Sequence, residues 1–234
     1  MSIRQLRHDD ALDTIWDDLV YTEARLSADK RTKDLAKPTA QLLARLEKVA
    51  LAQKANWRAE TIAQALVDKC DDDLDDQVAA FSNDLSHAEG GKKNTDRYKF
   101  YFGTSATDVI RLGLKSEIEK IETWVGKLKG EKIAALKAHA AKFAALVKDS
   151  EAALASRTTT QTARASHRID AIHGFVDDVN AARNSIAAEL DKRAVKLGVP
   201  HDFSPRFFHH STHTPKPQGA TQPAPTPPPA AQPA

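Results

Sequence analysis

Apolar residues recur at steps of three and four along most of the chain, a spacing that predicts long amphipathic helices. Leu12, Ile15, Trp16, Leu19 and Leu26 share one face and predict a first helix over about 9–33. Pro38 then opens a second over about 38–88, proline being well tolerated in a first helical turn. Its seam reads Leu42, Leu46, Val49, then Ile62, Leu66, Cys70, Leu74, Val78, Phe81 and Leu85, a stripe of coiled-coil type. Between Val49 and Ile62 it weakens to Gln53 and Trp57, which marks a place for a bend.

Gly90-Gly91 ends this helix, and 89–113 reads as a connector. Within it Arg97–Phe102 is the one stretch of strand propensity, and Ser105 with Asp108 predicts a short helical turn. A third helix over 114–155 opens on a capping box at Ser116 and Glu119. Its seam of Leu114, Ile118, Ile121, Val125 and Leu128 continues through Leu136, Ala140, Phe143, Val147 and Leu154, with a kink expected near 126–130. A fourth helix over 158–197 carries Ile169, Ile172, Val176, Val179, Ile186, Leu190 and Leu197, stopped by Gly198 and Pro200. The β-branched run Thr158-Thr159-Thr160 predicts a turn between the last two. The rival is one unbroken helix from Glu131 to Leu197, since Leu154, Thr158, Thr162, Ala165 and Ile169 keep a heptad-like rhythm.

The expected fold is therefore all-α: an elongated antiparallel bundle of about four long, coiled-coil-like helices over 1–210. Phe203, Phe207 and Phe208 are placed to hook back onto its end. Residues 211–234 form a separate tail in which eight prolines lie among Ala, Thr and Gln, a composition that predicts disorder.

Composition narrows the classes. Much of the apolar content is alanine, which favours helix but buries little area per residue. A formal net charge of +2 lacks the basic excess of a duplex-binding domain. Cys70 is the single cysteine, so neither an intrachain disulfide nor a Cys-rich zinc site can form. No secretory leader and no run of apolar residues long enough to span a bilayer is present, so a cytoplasmic location is expected.

Candidate chemistry is sparse. Asp84 and His87, like Asp170 and His173, are a carboxylate and a histidine three apart, the spacing used in di-iron bundles. Both motifs carry Asp in place of Glu and would sit at different heights in the bundle. His201, His209, His210 and His213, with Asp202, form a histidine-rich patch at the edge of the tail, without a scaffold to fix coordination. Asp71, Asp72, Asp73, Asp75 and Asp76 lack the glycine and glutamate of a calcium loop, Asp76 and Ser82 holding those places, and read as a solvated acidic face. Lys92, Lys93, Arg97 and Lys99 interleave with Tyr98, Phe100, Tyr101 and Phe102, as in single-strand nucleic-acid grooves. The alternative, aromatics plugging a bundle end, is preferred. Arg183 on a seam suggests either a snorkelling side chain or an ion pair that fixes register.

No nucleotide-, serine- or zinc-enzyme motif is found. No catalytic, cofactor-binding or metal-binding residue, and no cofactor, is therefore assigned. The expectation is a non-enzymatic structural or adaptor protein that binds a protein partner or itself. The small-residue stretch around Thr158, Thr162 and Ala165 is the place for a second chain or a bend. A surface-coating protein on lipid or polymer granules is the alternative, weakened by the narrow apolar stripe, and a metal-dependent bundle enzyme comes third.

Overall fold

A computed structural model describes residues 3–200 and 202–209. The tail 211–234, with its Pro225–Pro228 PxxP spacing, lies outside the described residues, as do His201, His210 and His213. Among the described residues the chain is all-α, without a strand. In order run α1 (Leu12–Ala28), a 3₁₀ turn (Lys33–Leu35), α2 (Ala36–Ala88), α3 (Asp96–Phe102), α4 (Ala106–Ile110) and α5 (Leu114–Lys129). Then follow α6 (Ala134–Ser166), a π-helical turn (His167–His173), α7 (Gly174–Leu197) and a 3₁₀ turn (Ser204–Phe207). The chain forms two compact units, Ala44–Val179 and Met1–Leu43 with Asn180–Ala234; α2 and α7 contribute to both.

In the unit 44–179, α2 and the α6–α7 stretch run antiparallel. Their cross-links descend in order: Arg45 to Asp178 at 2.5 Å, Glu60 to Arg164 at 2.5 Å, Gln64 to Arg157 at 3.3 Å, and Asp84 to His139 at 2.9 Å. Beyond Val67, α3, α4 and α5 close over this pair. There Phe81, Tyr98, Tyr101, Phe102, Trp124 and Phe143 pack ring against ring, with Leu74, Val78, Leu85, Ile121, Leu128 and Leu136 around them. Each such side chain, fully buried, contributes about 1.5–3 kcal/mol.

The other unit is held by α1, the second part of α7 and the segment after it. Leu26, Ala36, Ile186, Leu190 and Ala194 pack with Phe203, Phe207 and Phe208, which return onto the helices as expected. Arg25, Arg31 and Arg183 lie over the Phe207, Phe203 and Phe208 rings at 5.9, 5.2 and 5.4 Å. The entering chain is clamped by Asn180, whose amide donates to Leu6 O and whose carbonyl accepts from Leu6 N–H, both at 2.9 Å.

Several local expectations are corrected. The turn expected at 157–160, which would have separated helices 114–155 and 158–197, is absent and α6 runs through it. The hydroxyls of Thr158, Thr159, Thr160 and Thr162 each donate to the carbonyl four residues back, at 2.9–3.2 Å, so the run is accommodated inside the helix. The expected kink near 126–130 is a full break: α5 ends before Gly130, and α6 folds back along α5. Arg97–Phe102 is helical rather than extended. Thr95 caps it by accepting from Tyr98 N–H at 3.2 Å, and Tyr98, Tyr101 and Phe102 all point into the core. The capping box at Ser116 is not used, because α5 starts two residues earlier, after Gly113 at φ +75°. The seam of α2 is also rotated in its middle. Ala63 and Val67 face inward, leaving the expected Ile62 and Leu66 outside; Trp16, Ile169 and Leu197 are likewise exposed. The stop signals hold: Gly90 at φ +66° lets the Gly91 N–H reach Ser86 O at 2.8 Å, and Ser105 accepts from Asp108 N–H at the start of α4.

Arg183 resolves to the sharper of its two expectations. Its guanidinium and the Asp18 carboxylate form an ion pair in which both side chains are buried, and it also donates to Arg4 O at 3.1 Å. Burial, then the nearby Arg4 charge, lowers its pKa to about 10. Removing one partner of such a pair leaves a buried charge alone. Arg183→Met is therefore expected to cost about 3–5 kcal/mol in urea unfolding, and Arg183→Met with Asp18→Leu to cost much less.

Candidate functional site

The fold scatters the two Asp/His motifs. Asp84 faces α6 and pairs with His139, which the sequence reading did not single out, instead of joining His87. His139 is buried against Phe81 and Phe143. Its Nε2–H donates to Asp84 at 2.9 Å, while Nδ1 accepts from the Gln77 amide. Asp170 and His173 lie in the π-helical turn, toward the opposite end of the α2–α6 pairing. Among the described residues no group of three or more His, Cys, Asp or Glu is placed to hold a metal ion.

Of the histidine patch, only His209 is described; its ring meets Tyr21 edge-on at 5.3 Å. Cys70 is half-buried on α2. In the basic–aromatic segment Tyr98, Tyr101 and Phe102 are committed to the core, and Arg97 is neutralised by Glu89 and Glu131. Phe100 alone stays exposed, with Lys127 over its ring at 5.9 Å. Three stacking platforms are thus unavailable to a base.

The acidic run of α2 is not uniformly solvated. Asp71 and Asp75, four apart, face the first turn of α5, with Asp71 beside the Leu114 amide and Asp75 beside Glu117. Glu117 in the same turn is fully buried, and neither of its carboxyl oxygens has a hydrogen-bond donor. The group beside it is Asp75. Two carboxyls side by side, one of them fully buried, disfavour a second negative charge. Burial, followed by Asp75 and then Asp71, raises the Glu117 pKa from 4.5 to about 8, and burial raises Asp75 as well. A signal was present: Glu117 sits three after Leu114 and four before Ile121, inside the apolar stripe of α5.

The most unusual surface lies where α2 and α6 pair without other cover. From Leu51 to Leu66 α2 buries only Ala63, and from Leu154 to Ala171 no α6 or π-turn residue is fully buried. Leu51, Ile62 and Leu66 are 72, 52 and 47% exposed, and Ile169 is 61% exposed. Trp57, also exposed, stands on another face of α2 beside Glu60, Gln64, Asp68 and Arg164, at an open groove of about 390 Å³. No helix among the described residues is long and apolar enough to cross a membrane.

No protein-family model matches this chain, and neither a curated protein nor a solved structure does.

The Asp75–Glu117 pair makes stability depend on pH. Between about 4.5 and about 8 the folded chain keeps a proton on Glu117 that the unfolded chain has released, so stability falls as pH rises through that window. Glu117→Gln is expected to flatten this slope and stabilise the protein at pH 8, by up to about 4 kcal/mol at about 1.4 kcal/mol per pKa unit. Thermal melts at pH 5 and pH 8 check it.

Proposed function

We propose that this protein is a non-enzymatic adaptor, a coiled-coil-like helical scaffold that acts by presenting helix surface to another chain. The observation behind this reading is the exposed row Leu51, Ile62 and Leu66 on α2. It lies where the α2–α6 contact is made by Ala63 and by polar cross-links from Arg157 and Arg164. Ile62 and Leu66 stay about half exposed on folding and Leu51 more so, and an exposed apolar row of this kind carries free energy available for association. The buried polar groups support the same reading, since His139, Glu117 and Arg183 are each engaged with a neighbouring helix.

The test is Leu51→Ser/Ile62→Ser/Leu66→Ser in the full chain. Because these side chains are already largely exposed, helicity and melting temperature should stay near those of the parent. Cross-linked complexes of the parent, resolved by mass spectrometry to this face or by sedimentation to an oligomer, should be lost in the variant. A parent that sediments as a monomer at every concentration, and whose cross-links avoid residues 48–69 altogether, would overturn the proposal.

A further inference from the structure

On the reading of α2 as a docking face, we infer that its occupant is an acidic amphipathic helix supplied by a different protein. Leu51, Ala55, Arg58, Ile62 and Leu66 follow one another at steps of four, three, four and four, and all are exposed. That spacing offers one side of a helical seam to a second rod. Charge on the same surface is uneven. Among the described residues Lys48, Lys54 and Arg58 are exposed, and none of them makes an ion pair or a hydrogen bond. The neighbouring charges are otherwise occupied: Lys69 pairs with Asp73, Glu60 with Arg164, and Asp68 accepts from Gln64. Glu47, at the N-terminal end of the row, is the one exposed acid without such a contact there.

Three unpaired cations interleaved with an apolar row define what complements it: apolar knobs with carboxylates beside them. Other occupants fit less well. A two-fold pair of this chain would present the same basic surface from both sides, while the acids Glu60 and Asp68 that border it are already engaged within the chain. A membrane surface selects a broad apolar face, whereas this row is one residue wide and has Arg58 within it. Carboxylates on an incoming helix would instead meet Lys48, Lys54 and Arg58 while its apolar side covers Leu51, Ile62 and Leu66.

The test uses the full chain and two labelled synthetic helices of about four heptads. Both carry leucine at the core positions; one has glutamate and the other lysine beside them. Fluorescence anisotropy should show the glutamate helix bound about tenfold more tightly, an advantage that shrinks as salt is raised. Lys54→Glu/Arg58→Glu should invert that order. Ile62→Ser/Leu66→Ser should abolish binding of both helices while circular dichroism stays unchanged. Equal affinity for the two helices, lost in Ile62→Ser/Leu66→Ser, would overturn the acidic partner and leave the docking face standing. Phosphatidylglycerol vesicles bound in place of either helix would overturn it in favour of a membrane. A concentration-dependent dimer weakened by Ile62→Ser/Leu66→Ser, with neither helix bound, would overturn it in favour of a second copy. Absence of all of these would overturn both the partner and the docking face.

Discussion

The antiparallel contact between α2 and the helical path running from α6 through the π turn is the constraint on which the unit 44–179 depends. A helix of this length has several stretches that need cover, and they are covered unequally. Past Val67 three further helices close over the pair and bury a ring cluster centred on Phe81 and Trp124. Around residues 50–66 α2 half-buries Ala50, Ala52, Asn56, Glu60 and Gln64 and buries Ala63, while the facing stretch half-buries Leu154, Arg157, Thr160 and His167. Burial of apolar area is what stabilises helix pairs in water, so this stretch is the weak part of the rod.

The same inequality explains where polar groups lie. In the well-covered part, ionisable side chains are drawn into the interfaces: His139 is pinned by Asp84 and Gln77, and Glu117 is pressed against Asp75. In the unit built on Asn180–Ala234, Arg183 reaches Asp18 beneath Phe208. Such contacts add little net stability, because desolvation offsets much of the attraction. They penalise a shift of one helix against another, since any slip strands a buried charge. Helix pairs whose apolar contact is interrupted by such groups gain register from them.

Much of the fold was legible because helical periodicity, glycine stops and the returning phenylalanines are local signals. α2, α4, the stop at Gly198 and the burial of Phe203, Phe207 and Phe208 follow from them. The failures have a common cause in tertiary context. Strand propensity in Arg97–Phe102 yielded to a helix because Tyr98, Tyr101 and Phe102 at helical spacing meet the Trp124 cluster. The threonine run stayed helical through its own back-bonded hydroxyls. Ile62 and Leu66 were assigned to the seam on hydropathy, yet only the partner helix decides which side of α2 faces inward, and it selects Ala63 and Val67. The exposed row was therefore hidden behind an error of one residue in phase. His139, Asp18 and Glu117 were legible in principle, each lying within an apolar stripe.

Amide hydrogen exchange along α2 in the full chain tests most directly whether cover is uneven. If the middle of the helix rests on small and polar contacts, amides of 50–66 will exchange markedly faster than those of 74–85, and substitution of Phe81 will speed the second group far more than the first. Uniform, slow exchange from Leu46 to Leu85 would contradict the account, because it would show the stretch around Ile62 to be as firmly held as the aromatic core.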